Sequence, residues 1–144
     1  MFDHLGLHVA NFAKSSAFYV AALKPLGILR TNGGDDWISL GRDRRPQLFL
    51  DAGGATQPRL HLAFTAATRA EVRAFYRAAM RTGGRDNGRP GLRPNYHANY
   101  YAAFVLDPDG HNIEAVCKAA AAAPRRPAAK SAVRRKANTP ATRR

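Results

Sequence analysis

The heptapeptide AFYVAAL at residues 17–23 returns as AFYRAAM at residues 74–80. The copies lie 57 residues apart, and similarity at a fixed spacing marks a repeated supersecondary unit. Carried back to the start of the chain, the same offset maps His4 onto His61. Each histidine opens a short apolar run, HLGLHV at 4–9 and HLAF at 61–64. Runs of this length read as strands. In the first, His4, Gly6 and His8 share one face, because alternate residues of a strand point the same way.

Each run leads into a helix. Asn11 is an N-cap for a helix predicted from Phe12 to Leu26, with Phe12, Tyr19, Ala22, Leu23 and Leu26 at helical spacing and Pro25 and Gly27 at its end. In the second copy, Thr68-Arg69-Ala70-Glu71 is a capping box. Val72, Phe75, Tyr76, Ala79 and Met80 then give an apolar stripe that calls for a sheet to pack on, and Gly83-Gly84 stops the helix.

Strands follow each helix. In the first copy they fall at Ile28–Thr31, Trp37–Leu40 and Gln47–Asp51, with the Asn32-Gly33-Gly34 turn and a basic loop holding Arg42, Arg44 and Arg45 between them. Residues 53–58 read as a linker. In the second copy, 85–98 (RDNGRPGLRPNYHA) reads as a long loop with at most one short strand. The stretch NYYAAFVLDPDGHNIEAVC, residues 99–117, is a hairpin. Its Asp107-Pro108-Asp109-Gly110 turn uses Pro to set φ and Gly to take the positive φ that follows.

Glu114 sits in the return strand of that hairpin and shares a face with Asn112 and Val116. By itself it reads as a solvent-facing carboxylate. The repeat changes that reading. Two similar units tend to pack about a pseudo-twofold axis, so His4, His61 and Glu114 are expected to point into one cleft, with Gln47 as the symmetry mate of Glu114. Two imidazoles and a carboxylate suit a divalent transition metal with open positions.

Composition bounds the rest. The chain has 144 residues and is 45% hydrophobic, enough for one domain with a sizeable core. No apolar run approaches the ~20 residues of a membrane span. The start has no secretory pattern, and the single cysteine, Cys117, fits a reducing compartment. A cytoplasmic location is expected. The net charge of +13 is uneven. Residues 1–117 carry 14 Lys and Arg against 10 Asp and Glu, whereas 118–144 carry 9 Lys and Arg and no acid. With almost no large apolar side chains, 118–144 is expected to be a disordered tail, with a short helix as an option in its alanine run. Its cations suit nonspecific contact with nucleic acid or another polyanion, and without interleaved aromatics they do not suit base stacking.

The segments DHLGLHVANFAKSSAFY, RLHLAF and FVLDPDGHNIEAV together resemble the vicinal oxygen chelate superfamily, which includes glyoxalase I, extradiol dioxygenases, fosfomycin-resistance proteins and bleomycin-binding proteins. The resemblance covers residues 2 to about 117. It implies an α+β fold, two βαβββ modules (about 1–52 and 58–117) forming a curved mixed sheet around a cleft. It implies metal ligands at His4, His61 and Glu114, and a fourth ligand position at Gln47. Gln is a neutral, weaker ligand than Glu, so a three-residue site completed by water is the expectation. The metal is Fe, Zn, Ni or Mn, and a small-molecule substrate binds it through adjacent oxygens. The implied activity is that of a glyoxalase-like lyase or isomerase or an extradiol-type dioxygenase. For a glyoxalase-like reaction the resemblance also implies Glu114 as the catalytic proton acceptor. The alternative is a bleomycin-resistance type of protein that sequesters a small molecule or antibiotic without catalysis. A homodimer is expected, with the modules pairing either within a chain or across the dimer.

Substrate contacts are sought among His8, Trp37, His97, Tyr100 and Tyr101. Tyr100 and Tyr101 point to opposite faces, so at most one lines the cleft. His97 is an acid–base candidate from the loop, and Arg89 and Arg93 are candidates for holding an anionic substrate. Each of these has a plain alternative as packing or solvated surface.

Overall fold

A computed structural model describes residues 2–120. The expectations for a tail fall almost wholly on residues 121–144, which lie outside the described residues.

The chain folds as α+β from two copies of one βαβββ unit. The first contains β1 (Leu5–Val9), α1 (Phe12–Leu23), β2 (Leu29–Gly33), β3 (Trp37–Arg42) and β4 (Arg45–Ala52). The second contains β5 (His61–Thr65), α2 (Arg69–Arg81), β6 (Arg85–Leu92), β7 (Tyr101–Leu106) and β8 (Asn112–Cys117). Each builds a four-stranded mixed sheet, ordered β1-β4-β3-β2 and β5-β8-β7-β6. The first and last strands of each unit pair in parallel, and the remaining pairs are antiparallel.

The helices begin where the capping residues said they would. The Asn11 side chain accepts from the Lys14 N–H, and Thr68 Oγ1 accepts from the Glu71 N–H. Glu71 completes its box by accepting from the Ala67 N–H. The first helix is shorter than its apolar spacing predicts. Lys24–Leu26 tightens into a 3-10 turn, with Pro25 inside it and Gly27 left-handed at φ 72°.

The two helices touch, and each lies on its own sheet. Leu7, Val9, Ile38, Leu40, Leu48 and Leu50 form the helix-facing side of the first sheet, all 4% exposed or less. Val105, Ile113, Ala115 and Cys117 do the same in the second. Burying each large aliphatic stabilises by about 1.5–3 kcal/mol. Period 2 then turns the alternate residues of every strand toward the opposite, open face.

Two segments differ from the sequence reading. The basic loop at Arg42–Arg45 is a tight hairpin turn. Asp43 and Arg44 both have positive φ (51° and 61°), and Arg42 pairs with Arg45 across it. Its turn residues lack the Asn-Gly or Asp-Gly signal that announces such a hairpin. The stretch at 85–98 is also more ordered than its Gly and Pro content implies, because residues 85–92 form the whole of β6. Among the described residues this strand lies at the sheet edge and pairs only with β7. Pro90 therefore costs little there, and register shifts around Gly88 (φ 150°) absorb the misfit.

Candidate functional site

The open face of the second sheet holds Glu114. The row through β5, β8 and β7 reads Ala63, Glu114, Phe104, and the next row reads His61, Asn112, Leu106. Glu114 is 2% exposed although it sits on the open face. It is covered by the residues that bind it. His61 Nε2 lies 2.9 Å from Oε2, and the Tyr100 hydroxyl donates to Oε1 at 2.7 Å. No Lys or Arg among the described residues forms an ion pair with it. A buried carboxylate calls for a countercharge, and among the described residues a phenol and an imidazole are the groups hydrogen-bonded to it.

Tyr100 is the cleft-lining member of the tyrosine pair. Burial, then the hydrogen bond to Glu114 and the charge of that carboxylate, push its hydroxyl up to about 12. Tyr96 packs edge-on against its ring at 5.2 Å, and the Lys118 ammonium stands 5.5 Å from its centroid. Tyr101 faces the other way, where Arg69 lies over its ring and the core packs against it. Arg93 sits 5.5 Å from the centroid of Phe104, the β7 neighbour of Glu114, and places a cation at the border of this face. Arg89 is occupied elsewhere, lying 3.7 Å from Asp86. His97 accepts the Asn99 N–H at Nδ1 (3.1 Å), so one of its nitrogens serves the loop.

The open face of the first sheet carries His4, Gly6 and His8 on β1, Gln47, Phe49 and Asp51 on β4, and Trp37 and Ser39 on β3. His4 is exposed, with Nδ1 2.9 Å from Asp3 Oδ1 and its ring edge-on to Phe49 at 5.4 Å. Trp37 stacks on Phe49 at 6.4 Å with 20° between the planes. His8 Nδ1 hydrogen-bonds to Asp51 Oδ1.

His4, Gln47 and His61 line one cavity of about 660 Å³, together with Leu5, Leu60 and Arg42. His61 and Glu114 are in direct contact, and His4 is at the wall of the same cavity as His61. The three ligand atoms do not all lie within 4.8 Å of one another in this chain.

The register corrects the assignment of Gln47 as the mate of Glu114. Leu5 pairs with Leu48 as its repeat equivalent Leu62 pairs with Ile113. Phe49 is therefore the counterpart of Glu114, and Gln47 that of Asn112. The two differ by one full strand repeat, so the face was right and the row was not. The position that mirrors the acid holds an aromatic ring.

Asp107, Asp109 and His111 were not singled out by the sequence reading as a group. They offer ligand atoms within 4.8 Å of one another, a set of donor types able to hold a metal ion. Here both carboxylates and one nitrogen of the imidazole are engaged. Asp107 accepts from the Tyr19 hydroxyl (2.7 Å), the Asp109 N–H and the His111 N–H, while Asp109 accepts from the Ala10 N–H. His111 Nδ1 accepts the Leu60 N–H at 3.0 Å. That leaves the proton of a neutral ring on Nε2, which is buried without a partner among the described residues. This turn ties the last hairpin to α1 and to the start of β5, with Gly110 left-handed at φ 89°. Its signal in the sequence was the turn motif itself.

Comparison with known proteins fits this geometry. The family model described as "Glyoxalase/Bleomycin resistance protein/Dioxygenase superfamily" matches residues 1–115. A crystal structure of a glyoxalase/bleomycin resistance protein from Albidiferax ferrireducens T118 is 27% identical. It covers 81% of this chain and 98% of its own, with a TM-score of 0.68. Two more distant structures share the fold. One is a glyoxalase/bleomycin resistance protein/dioxygenase family enzyme from Burkholderia phytofirmans PsJN (14% identity, 81% and 98% covered, TM-score 0.62). The other is a glyoxalase-related enzyme from Fulvimarina pelagi (19%, 78% and 84%, TM-score 0.60). Among curated proteins none matches the chain. Among the described residues no helix is long and apolar enough to cross a membrane.

Proposed function

The chain belongs to the glyoxalase/bleomycin resistance protein/dioxygenase superfamily, and from that premise we propose that it is a metal-dependent enzyme acting on a small molecule through two adjacent oxygens. His4, His61 and Glu114 are the ligands in this reading. The observation that carries it is Glu114, a buried carboxylate with no Lys or Arg partner among the described residues, in contact with His61. A divalent ion supplies the missing countercharge and, when bound, polarises the substrate oxygens as a Lewis acid. Tyr100 fixes one carboxylate oxygen, and the other, which faces His61, is the one for ligation or for accepting a proton next to a carbonyl. Arg93, held over Phe104, favours a substrate with negative charge. With Phe49 in the fourth position the protein offers three ligands, and water and substrate fill the rest.

His4 reaches the other two either by closure within one chain or by meeting them across a homodimer. In both arrangements the purified protein holds about one divalent ion per chain, as a site of this donor set would. Elemental analysis of protein purified without chelator tests this. His61→Ala loses the ion, and unchanged metal content in that variant counts against the reading.

A second reading is supported by the Trp37–Phe49 stack beside His4. A flat aromatic shelf suits sequestration of a planar compound without turnover. Conversion of a glyoxal adduct or a catechol by the metal-loaded protein would exclude pure sequestration. Cytoplasmic residence and polyanion contact by the basic segment 118–144 remain parts of the same proposal. Salt-sensitive DNA retention lost on deleting 118–144 would support the latter, and retention surviving the deletion would refute it.

A further inference from the structure

The positive charge of residues 1–117 is gathered on one side of the domain. Of the 14 Lys and Arg there, six fall in residues 12–26 and 69–81, the helix layer, where Glu71 is the single acid. The other eight stand against nine acids. The helices therefore carry the whole net charge of the domain, on the side away from the open sheet faces. Much of it comes from α2, which holds Arg69, Arg73, Arg77 and Arg81 at steps of four residues. At the offset of 57, the last three of these correspond to Ser16, Val20 and Lys24 in the first copy. The first helix packs on its sheet without such a row, so packing alone does not call for these arginines.

Between the two helices the surface is hollowed. One hollow of about 730 Å³ is lined by Lys14, Ala17, Thr82, Gly83 and Arg85. A second, of about 500 Å³, is lined by Ala21, Lys24, Ala78, Arg81 and Thr82. They meet at Thr82 and form one groove with a floor of small side chains. Lys14 and Lys24 mark its ends, about 15 Å apart at the helical rise. All four cations are exposed, and among the described residues none of them forms an ion pair. Asp107 also stands in the wall. It is fully buried, and its oxygens accept from the Tyr19 hydroxyl and from two N–H groups of its own turn.

We propose that the groove between α1 and α2 docks the phosphodiester backbone of duplex DNA, without regard to sequence. Lys14, Lys24, Arg81 and Arg85 each meet a phosphate, and the small floor lets the sugar–phosphate ridge approach. Every such contact releases a condensed counterion from the duplex. No aromatic ring lines the groove to stack an unpaired base, which favours duplex over single strand. The cations edge a hollow and do not flank a protruding apolar face, which favours nucleic acid over a lipid surface. The inference rests on the proposed polyanion contact of 118–144 and gives that contact a folded half.

The test is the salt dependence of binding to a short labelled duplex, read by fluorescence anisotropy with the full chain. Arg81→Gln/Arg85→Gln removes two contacts, so the slope of log K against log salt is expected to flatten by about 2. Lys14→Gln/Lys24→Gln removes two from the other helix and is expected to flatten it equally. Arg30→Gln/Arg44→Gln removes the same charge outside the groove and is expected to keep the parent slope. Circular dichroism and unfolding midpoints establish that each double variant is folded. Parent slopes in both groove variants, or equal flattening in Arg30→Gln/Arg44→Gln, overturn the proposal. An effect of Arg81→Gln/Arg85→Gln on binding to phosphatidylserine vesicles with none on the duplex overturns it as well. The tail reading fails separately, through retention that survives deletion of 118–144, whereas the groove fails through slopes measured in the full chain.

Discussion

The two sheets share one backbone plan and present different chemistry. In the row where the second sheet holds Ala63, Glu114 and Phe104, the first holds Gly6, Phe49 and Ser39. One copy keeps a buried acid braced by His61 and Tyr100. The other replaces it with a ring that His4 and Trp37 pack against. Helix-facing positions are constrained by packing in both copies, so they stay apolar. The open-face positions carry no such constraint, and there the copies have diverged into an anionic half and an aromatic half. A duplicated fold can thus keep one packing plan while its two open faces carry different side chains.

Exchanging the divergent row should have the largest effect. Glu114→Phe makes the second sheet resemble the first and is expected to abolish metal binding altogether, as read by elemental analysis. Phe49→Glu makes the first resemble the second, adds a fourth ligand position that is anionic and is expected to tighten retention of the ion against chelator. Weaker retention in Phe49→Glu would break the equivalence of these two positions. A smaller change tests the brace around the acid. Tyr100→Phe is expected to cost about 10–100-fold in metal affinity, the usual effect of losing a group that orients a ligand.

Stability separates the halves as well. The helix-facing residue of the first sheet after Phe49 is Leu50, and its counterpart after Glu114 is Ala115. Leu50 is fully buried, so Leu50→Ala should cost about 2–5 kcal/mol in denaturant unfolding. Tyr19→Phe is expected to cost about 1–3 kcal/mol, because it leaves buried Asp107 without its hydroxyl donor.

The smallest effect is alkaline. Burial, with the hydrogen bond to Glu114 and its charge, pushes the folded Tyr100 hydroxyl from 10.0 up to about 12. The folded state therefore holds the proton more tightly, and its contribution is complete below pH 10.0 and lost as pH rises toward about 12. Burial and Asp107 raise Tyr19 as well, so both act in the same direction. Unfolding midpoints should fall across that window, less steeply in Tyr100→Phe. An equal slope would mean that Tyr100 does not face Glu114 in solution.

Much of this was legible in the sequence for definite reasons. Cap residues, the AFY helices and the aspartate-proline turn act locally, and each formed where its chemistry demanded. The offset of 57 residues between the copies held through both first strands and both helices, which paired His4 with His61. The last strands were misaligned because Leu48, Phe49 and Leu50 are all apolar and hide the alternation that would have fixed the row. Strand β6 was hidden by Gly88, Pro90 and Gly91, residues that an edge strand tolerates and a central one does not. The Glu114–Tyr100 contact bridges a strand and the loop before its neighbour, so no local pattern announced it. The His8–Asp51 pair depends on the parallel register of β1 and β4, which a linear reading of the chain does not supply.

The most direct test of the convergence of His4, His61 and Glu114 is an anomalous-difference map from crystals of the full chain loaded with a transition metal. The account predicts one strong peak per chain, bonded to an imidazole nitrogen of His4, an imidazole nitrogen of His61 and the Glu114 carboxylate at about 2.0–2.2 Å. The three may come from one protomer or be shared between two. A peak at Asp107, Asp109 and His111, or a peak on Glu114 and His61 with His4 absent from both protomers, would contradict it.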